Sequence, residues 1–212
     1  MVCLVSITAN PDCTRGFADR ICRDPASGNF TLMPVKVDEA SQLPQSITHG
    51  LISTQRMRAL ESLKRFLNSK PTVEKALIFV NEPRRKYVIA DQLLEMWYIS
   101  APLHGETSKE DRKEIVARLK DGRLRLVVTT ELAARGLDIP NLTHVVNFEL
   151  PTDAQHYVHR AGRCGRAGRP GLVMNFATPS TKYVVRRFGK RLGTKIRDCE
   201  VRDGQVHLKR AM

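Results

Sequence analysis

Arginine occupies every third position of the segment HYVHRAGRCGRAGRPG, residues 156–171, and glycines are interleaved at the same spacing. The four arginines are Arg160, Arg163, Arg166 and Arg169. A guanidinium is planar and can donate two parallel hydrogen bonds to a phosphate, so this cluster is suited to stabilising charge on a transferring phosphoryl group. The alternative interpretation is a solvated basic loop, or a disordered RGG-like segment that only binds RNA.

The glycines predict where the helix before this cluster ends. Pro151, Thr152 and Asp153 are typical of a helix start, with Asp153 or Thr152 as the N-cap. Each following glycine costs about 1 kcal/mol relative to alanine inside a helix. The helix should therefore end among Gly162, Gly165 and Gly168, and the arginines should project from its frayed end.

A second candidate is the pair Gly136 and Asp138 in TTELAARGLDIP, residues 129–140. These residues follow the apolar run LRLVVTT (124–130), and loops at the carboxyl ends of parallel strands are where α/β sheets bind ligands. Gly136 would let the backbone approach a ligand closely, and Asp138 could accept hydrogen bonds from a ribose hydroxyl. An aspartate that only caps a turn is the alternative.

The elements that must position these residues alternate along the chain. Five apolar runs predict buried strands: KALIFVN (75–81), YISAPLH (98–104), LRLVVTT (124–130), THVVNFE (143–149) and GLVMNFAT (171–178). Helical patterns occupy 84–97, 108–122, 153–160 and 179–192, the second with Ser108 as N-cap and Gly122 as its stop. Strands that are apolar throughout and alternate with helices predict a parallel sheet that is covered by helices on both faces.

One further helix is predicted in TQRMRALESLKRFLNSK, residues 54–70, which should pack beside the sheet. Its apolar stripe is Met57, Leu60, Leu63 and Leu67. The spacing of three to four residues places these side chains on one face of a helix. We expect all four to be buried against the domain.

The chain is predicted to contain one complete α/β domain over residues 46–195. Residues 1–33 contain one apolar strand and one helix, which cannot bury a core alone, so they are interpreted as the end of a preceding domain. Residues 34–45 are polar and turn-rich, as expected of a linker. Residues 196–212 form a short basic, hairpin-like tail.

The charge balance favours a polyanionic partner. Lysine and arginine number 35 against 22 aspartates and glutamates, a net charge of +13, which promotes association with nucleic acid. A basic protein that is merely soluble is the alternative. The five cysteines contain no CxxC pair, so neither a disulfide framework nor a metal site is indicated, and a reducing intracellular compartment is expected. No apolar run is long enough to predict a membrane span or a secretory signal.

Four segments, in order, resemble a known family: ALIFVN, LHGETSKEDR, ARGLD and HRAGRCGRAGRPG. They are similar to motifs IV, IVa, V and VI of the second RecA-like domain of DEAD-box RNA helicases, within superfamily 2. His159 at the start of the last motif favours the DEAD-box branch, and LVSITAN near the N-terminus resembles motif III. The resemblance implies a RecA-like parallel sheet of the P-loop NTPase type, with helices on both faces.

The resemblance also implies roles for individual residues. Catalytic arginines that reach the γ-phosphate are expected at Arg163 and Arg166, and the nucleotide ribose contact at Asp138 with Gly136 beside it. Coupling to the other domain is implied for four residues: Ser6, Thr8, His159 and Arg160. Contacts to the RNA backbone are implied for five: Asn81, Arg84, Gly105, Arg112 and Thr130. Arg169 lies beyond the core of the motif and is expected to be a surface charge.

ATP is the implied cofactor, shared with a first RecA-like domain, and Mg²⁺ is expected only in the complete two-domain enzyme. The sequence contains no G-x-x-x-x-G-K-[ST] loop to hold the phosphates, so we expect no ATP hydrolysis by this chain alone. The Asp38-Glu39-Ala40 triplet lies in the polar linker and is not the family's magnesium-binding signature. Three residues depart from the family pattern: Ile7, Lys109 and Glu131.

The expected partners are therefore RNA, bound mainly through its sugar-phosphate backbone, and a first RecA-like domain in cis or in trans. Two other functions stay open from the sequence. One is a non-catalytic RNA-binding or regulatory module that pairs in trans with another RecA-like domain. The other is a DNA-directed translocase of superfamily 2.

Overall fold

The structure, a computed structural model, describes residues 43–209 except Pro71, 135–138 and Pro140. The predictions made for Ser6, Thr8, Gly136 and Asp138 lie outside the described residues, as do those for the segment 1–33.

The described residues form eight strands and six α-helices. The strands are β1 (Ile47–Ser53), β2 (Ala76–Phe79), β3 (Ser100–Leu103), β4 (Leu126–Thr129), β5 (His144–Asn147), β6 (Gly171–Ala177), β7 (Ile196–Arg202) and β8 (Gln205–Leu208). The helices are α1 (Ala59–Leu67), α2 (Arg85–Glu95), α3 (Lys109–Lys120), α4 (Glu131–Ala134), α5 (Ala154–Ala161) and α6 (Lys182–Arg191). Short 3₁₀ turns occupy Arg56–Arg58 and Arg166–Gly168.

The strands join in one sheet with the order β3-β4-β2-β5-β6-β1-β7-β8. All neighbouring strands are parallel except β7 and β8, which form an antiparallel hairpin. In the register, Phe79 of β2 lies beside Thr129 of β4 and Asn147 of β5, so these strands end at the same level. The predicted parallel α/β sheet is confirmed.

Each face of the sheet has its own apolar core because β2, β4 and β5 are buried along their whole length. Leu77 and Phe79 of β2 face one core with side chains from α3, α5 and α6. Ala76 and Ile78 face the other core with side chains from α1 and α2. The alternation of side chains along the strands therefore explains how helices cover both faces.

The sequence-based prediction missed β1 and did not place β7 and β8 in the sheet. β1 reads ITHGLIS, in which His49 and Gly50 interrupt the apolar pattern. Gly50 gives room to Met174, since a Cβ atom there would lie 2.8 Å from Cε of Met174 and would make that side chain shift. The predicted hairpin-like segment is a hairpin, and its strand β7 pairs with β1, so the sheet extends beyond the five predicted strands.

The predicted burial of Met57 is wrong. Met57 is 97% exposed because it lies in the 3₁₀ turn Arg56–Arg58, before the α-helical periodicity begins. The rest of the stripe behaves as expected, since Leu63 and Leu67 are buried and Leu60 packs partly against the same core.

The predicted helix caps are present. The Ser108 side chain accepts a hydrogen bond of 3.0 Å from the backbone N–H of Asp111 and starts α3. Gly122 follows that helix with φ of 81°, a left-handed conformation that glycine adopts without strain. At α5 the cap is Asp153, whose carboxylate accepts a 2.8 Å bond from the His156 N–H.

Candidate functional site

The helix α5 links two opposite edges of the sheet. It begins after the carboxyl end of β5 and, at about 1.5 Å per residue, carries the chain back across the sheet. The loop after it lies at the amino ends of β1 and β6: Ser46 donates a 3.2 Å bond to the Gly165 carbonyl and accepts one of 3.1 Å from the Gly171 N–H. Arg163 and Arg166 therefore lie at the amino edge of the sheet.

The helix ends among the glycines, as the sequence predicts. Gly162 is the C-cap of α5, and Gly165 adopts φ of 68°. A Cβ atom at Gly165 would lie 2.4 Å from Cγ1 of Ile47, so both the backbone conformation and the close approach require glycine. The loop that contains Arg163 and Arg166, called the arginine loop below, is consequently held against the start of β1.

Arg163 and Arg166 are oriented by the backbone that precedes them. The Nε of Arg163 donates to the His159 carbonyl at 3.1 Å, and the Nε of Arg166 donates to the Gly162 carbonyl, also at 3.1 Å. Arg163 is half-buried and Arg166 is exposed. The two guanidinium groups thus lie on the same loop with their planes tied to one helix end.

Arg160 differs from the other arginines of the repeat, because its side chain is buried within this domain. It is 3% exposed, and its guanidinium carbon lies 4.9 Å from the centre of the Phe79 ring. Nη1 donates to the Glu149 carbonyl at 2.8 Å and contacts Oδ1 of Asn147 at 3.3 Å. Nη2 donates to Oδ1 of Asn81 at 2.9 Å. One side chain therefore joins α5 to the ends of β2 and β5.

Glu131 completes the surroundings of Arg160. Its Oε2 accepts a 2.9 Å bond from Nε of Arg160, and its Oε1 lies 3.6 Å from Nδ1 of His159. Burial lowers the pKa of the Arg160 guanidinium, and the bond to Glu131 acts in the opposite direction. Glu131, one of the residues that depart from the family pattern, thus contacts motif VI through its ion pair with Arg160.

A chain of buried hydrogen bonds continues from Arg160 across the centre of the sheet. Asn147 donates through Nδ2 to Oδ1 of Asn175 at 2.8 Å, and Asn175 donates to the hydroxyl of Tyr157 at 3.3 Å and to the Gly50 carbonyl at 2.8 Å. The Tyr157 hydroxyl lies 2.8 Å from Nδ1 of His49. Polar groups of β1, β5, β6 and α5 are therefore joined through the core.

Burial sets the protonation states of the ionisable side chains in this row of hydrogen bonds. Desolvation lowers the pKa of His49 to about 4 and raises the pKa of Tyr157 far above its usual range. Both side chains are neutral at physiological pH, so the hydrogen-bonded groups from His49 to Asn147 carry no charge. These residues were not predicted from the sequence, although an asparagine followed by phenylalanine interrupts both apolar runs, at Asn147 and Asn175.

The residues predicted to contact RNA lie at the carboxyl edge. Asn81, Gly105 and Thr130 follow β2, β3 and β4, which are neighbours in the sheet. Arg84 is the N-cap of α2 and is exposed, and no hydrogen bond or ion pair joins it to another residue of the described part of the chain. Arg112, in α3, donates a 2.7 Å bond from Nη2 to the Ala133 carbonyl in α4.

Asn81 joins the predicted RNA contacts at the carboxyl edge to the side chain of Arg160. Its backbone N–H donates to Oε2 of Glu149 at 2.6 Å, and its Nδ2 donates to the Leu150 carbonyl at 2.9 Å. Its Oδ1 accepts the bond from Arg160. The predicted RNA contact and the start of motif VI are thus in direct contact.

A cavity of about 420 Å³ opens beside Asn81 at the carboxyl edge. Phe148 and Phe176 form apolar parts of its wall, and Arg85 and Glu149, paired at 2.9 Å, form a charged part. Among the described residues, no group of three His, Cys, Asp or Glu side chains could hold a metal ion. No helix in the described ranges is long and apolar enough to cross a bilayer.

Comparison with known proteins places this chain in a family. The helicase conserved C-terminal domain matches residues 58–168. The chain is 35% identical to the DEAD-box ATP-dependent RNA helicase CshC of Bacillus cereus over 147 residues, covering 69% of this chain and 37% of CshC. It is 36% identical to CshA of Bacillus subtilis over 152 residues, 72% of this chain and 31% of CshA. The chain therefore spans about a third of the length of these relatives.

Solved structures agree with that assignment. One similar structure is the E. coli DEAD-box protein SrmB bound to the regulator of ribonuclease activity A. The TM-score is 0.66 at 30% identity, and the match covers 72% of this chain and 89% of the matched chain. The fold is shared with S. cerevisiae Dbp5 bound to RNA and ADP BeF3, with a TM-score of 0.72 at 24% identity over 90% of this chain and 49% of Dbp5. The chain belongs to the helicase conserved C-terminal domain family, and these relatives by sequence and by fold are DEAD-box proteins.

Proposed function

We propose that this chain acts as the second RecA-like half of an ATP-dependent RNA helicase and completes an ATP site whose phosphates are held by a first RecA-like domain. The observation that carries the proposal is the placement of Arg163 and Arg166 on the glycine-broken end of α5, with each Nε tied to a helix carbonyl. Two oriented guanidinium groups on one loop suit the charge that develops on a transferring phosphoryl group.

The arginines in this proposal act only on a nucleotide that is already bound. An arginine finger contributes roughly 10³–10⁵ in rate in known phosphoryl-transfer enzymes, and it requires the phosphate loop and magnesium ligands of the first domain. Arg163 and Arg166 are proposed to contact the phosphate end of ATP, which their charge suits. Gly136 and Asp138 are proposed to contact the ribose. Mg²⁺ belongs to the two-domain enzyme and would be held by the first domain.

RNA is proposed to bind at the carboxyl edge, opposite the arginine loop. The predicted contacts there offer amide, hydroxyl, guanidinium and backbone groups, which suit phosphate and sugar oxygens and carry little information about base sequence. The net charge of +13 and the RNA present in the Dbp5 complex support this proposal. RNA unwinding or remodelling would follow when ATP and RNA close the two domains on each other.

Arg160 is proposed to couple the two edges from inside the domain. Its guanidinium is buried, so it acts on the rest of the enzyme through Asn81, Glu131 and the helix α5. His159 lies on the same helix beside Glu131 and is proposed to face the first domain, where Ser6 and Thr8 are the expected counterparts.

The test is to link this chain to the first RecA-like domain of a DEAD-box relative that contains the phosphate loop and the magnesium ligands. We expect RNA-stimulated ATP hydrolysis from the linked protein and none above background from either part alone. Arg166→Ala should reduce the linked activity by roughly 10³-fold or more without changing RNA affinity. Arg169→Ala, three residues further on the same loop, is the matched control and should retain activity.

Three outcomes would contradict the proposal. RNA-stimulated hydrolysis by the unlinked chain would show that it does not need a first domain. RNA binding without hydrolysis in any linked form would favour the alternative, a non-catalytic RNA-binding or regulatory module that pairs in trans. Stimulation by DNA rather than RNA would indicate a translocase.

A further inference from the structure

A long part of the chain contains basic residues and no acidic ones. No aspartate or glutamate occurs between Asp153 and Asp198, a stretch that includes α5, the arginine loop, β6 and α6. Lysines and arginines are frequent in its last part: Lys182, Arg186, Arg187, Lys190, Arg191, Lys195 and Arg197. The helix α6 is therefore basic along its length, whereas α1, α2 and α3 each contain residues of both signs.

The exposed side of α6 presents one aromatic and three basic side chains in a row. Tyr183 is followed three, four and seven positions later by basic residues: Arg186, Arg187 and Lys190. In a helix this spacing places side chains on one face, with the Cβ atoms of neighbours about 5–6 Å apart. All four side chains are exposed, whereas Val185 and Phe188 form the buried side. We call these four residues the Tyr183 stripe.

Packing does not explain the tyrosine in this row. Tyr183 is 67% exposed, and within the described residues its hydroxyl makes no hydrogen bond and its ring contacts no other ring or cation. The helix is held on the core by other side chains, among them Phe188, whose ring centre lies 5.8 Å from that of Tyr157. The face of the Tyr183 ring is therefore available to a molecule outside the domain.

The elements around α6 supply few acidic groups. The helix packs against α5, β6 and β7, and β6 contains no acidic residue. The acid at the start of α5, Asp153, caps that helix and bonds to His156. In β7 the acids on the α6 side are Asp198 and Glu200, and Asp203 lies in the exposed turn after β7.

The two acids of β7 are each paired with two basic side chains. Asp198 contacts Nζ of Lys182 at 2.9 Å and accepts a bond from Arg186. Glu200 accepts a bond from Arg202 and lies 3.6 Å from Nζ of Lys209.

The middle of the stripe has no such acidic partner. No hydrogen bond or ion pair joins Arg187 or Lys190 to another residue in the described part of the chain. The Tyr183 stripe thus keeps its positive charge for an external anion.

The ring among the cations distinguishes between two kinds of polyanion. The face of an aromatic ring carries partial negative charge, so a carboxylate of an acidic protein gains nothing from Tyr183. A nucleobase stacks on such a ring, and cations combined with an exposed aromatic side chain are typical of surfaces that bind single-stranded nucleic acid. We propose that the Tyr183 stripe is a second RNA-binding surface, which pairs its cations with phosphates of a single strand and stacks one base on Tyr183.

The stripe lies where a strand from the carboxyl edge can reach it. The helix α6 begins after the carboxyl end of β6, and only β5 separates β6 from β2 in the sheet, a distance of about 10 Å from β2 to β6. An RNA strand at Asn81, Gly105 and Thr130 can therefore continue onto α6. This inference goes beyond the function proposed above, because it requires neither ATP nor a first domain.

The test measures RNA affinity of the whole chain without ATP. The probe is a fluorescein-labelled, U-rich single-stranded RNA of about twenty nucleotides, and fluorescence anisotropy gives the affinity at several salt concentrations. Tyr183→Ala should weaken binding by roughly fivefold or more, because the stacking of one base is lost. Tyr183→Phe keeps the ring and should retain the affinity. Lys190→Glu should reduce the slope of log affinity against log salt by about 1.

Two variants elsewhere are matched controls. Lys64→Glu makes the same change of charge at an exposed position of α1, which covers the other face of the sheet. Trp97→Ala removes an aromatic side chain that is 95% exposed after α2. Neither variant should change the affinity or the salt slope. Because all these side chains are exposed, the melting temperature of Tyr183→Ala and Lys190→Glu should stay close to that of the parent.

Arg84→Glu separates this inference from the RNA site proposed at the carboxyl edge. If both surfaces bind, Tyr183→Ala weakens binding by the same factor in the Arg84→Glu variant as in the parent. Weakening by Arg84→Glu with full affinity in Tyr183→Ala would keep the edge and overturn the stripe. Weakening by Tyr183→Ala alone would keep the stripe and exclude the edge.

Two further results would overturn the inference. Equal weakening by Lys64→Glu and Lys190→Glu would show that RNA responds only to the net charge of the chain. A fluorescein-labelled glutamate-rich peptide is the comparison probe. If it binds as tightly as the RNA and loses affinity with Lys190→Glu, the stripe is a site for an acidic protein instead.

Discussion

Nη2 of Arg160 donates a 2.9 Å hydrogen bond to Oδ1 of Asn81, across the gap between α5 and the end of β2. Arg160 lies one helical turn before Arg163, and Asn81 is predicted to contact RNA at the carboxyl edge. A change in the position of Asn81 on binding therefore acts on a side chain that also holds Glu131, Asn147 and the Glu149 carbonyl. The Arg160 side chain thus ties the predicted RNA edge to α5, the helix that leads into the loop with Arg163 and Arg166.

Arg160 should contribute more to stability than any other arginine of the repeat. Arg160→Gln removes the charge that pairs with the half-buried Glu131, and breaking such a pair costs about 3–5 kcal/mol in the free energy of unfolding. Arg160→Lys should cost less because it keeps the charge and loses the fork of donors. Urea unfolding measures both, and Arg169→Gln, at an exposed position, should stay within about 0.5 kcal/mol of the parent. Equal losses at both positions would contradict the buried role of Arg160.

Asn147 and Asn175 should be energetically coupled. Each is fully buried, and each alanine variant leaves the partner amide without its hydrogen bond, at a cost of about 1–3 kcal/mol. The double variant should cost less than the sum of the single ones by about 1 kcal/mol or more, because it removes both orphaned groups together. A double-mutant cycle in urea tests this, and strict additivity would show that the amides do not interact.

His49 and His144 should make the domain less stable in acid. Burial lowers the pKa of each to about 4 in the folded state, whereas the unfolded chain titrates near 6.5. Between these values the unfolded state binds more protons, so stability is complete above pH 6.5 and is lost as pH falls towards 4. The loss approaches about 3 kcal/mol for each histidine.

The matched test compares His49→Gln with His207→Gln. Glutamine can keep a hydrogen bond to Tyr157 without titrating in this range, so His49→Gln should flatten the decline in unfolding free energy between pH 7 and 4. His207 is exposed in β8, and its replacement should leave the decline unchanged. An unchanged decline in the His49 variant would show that this side chain is not the source.

Gly165 and Gly168 should respond differently to alanine. Both have positive φ, 68° and 73°, so each variant incurs the left-handed strain of about 1–2 kcal/mol. At Gly168 a Cβ atom meets nothing within 4 Å, whereas at Gly165 it collides with Ile47. Gly165→Ala should therefore lower the melting temperature clearly more than Gly168→Ala. Equal shifts would mean that the loop does not lie against β1.

Arg84 and Arg112 should separate RNA binding from folding. Arg84→Glu should weaken RNA binding and reduce the slope of log affinity against log salt by about 1, with no loss of melting temperature. Arg112→Glu should weaken RNA binding and also destabilise the domain, because Nη2 of Arg112 holds the Ala133 carbonyl. Full RNA affinity in both variants, measured by fluorescence anisotropy, would exclude this edge as the RNA site.

The sequence predicted the centre of the sheet well because burial on both faces leaves an uninterrupted apolar run. β1 escaped prediction since its pattern is broken by His49 and Gly50, whose reasons for burial, a bond to Tyr157 and contact with Met174, are tertiary. The hairpin β7–β8 was visible as a hairpin, but its attachment to β1 depends on a pairing between residues far apart in sequence.

In the candidate site too, the features set by local chemistry were predicted and those set by tertiary contacts were not. The end of α5 and the loop with Arg163 and Arg166 follow from glycine chemistry, which is local. The burial of Arg160 does not follow from its spacing in the repeat, because the other arginines have the same spacing. Helical periodicity gives part of the signal, because Arg160 lies three residues after the buried Tyr157 in the same helix. The identity of its partners required the fold.

The buried hydrogen bonds from His49 to Arg160 have a consequence for how this domain opens. A helix of eight residues would normally fray on its own and let its amides exchange with solvent. Here, separating α5 from the sheet would leave buried polar groups of β1, β5 and β6 without hydrogen-bond partners. Each such group costs free energy. The helix and these three strands should therefore behave as one cooperative unit, whose amides exchange only when the whole domain unfolds.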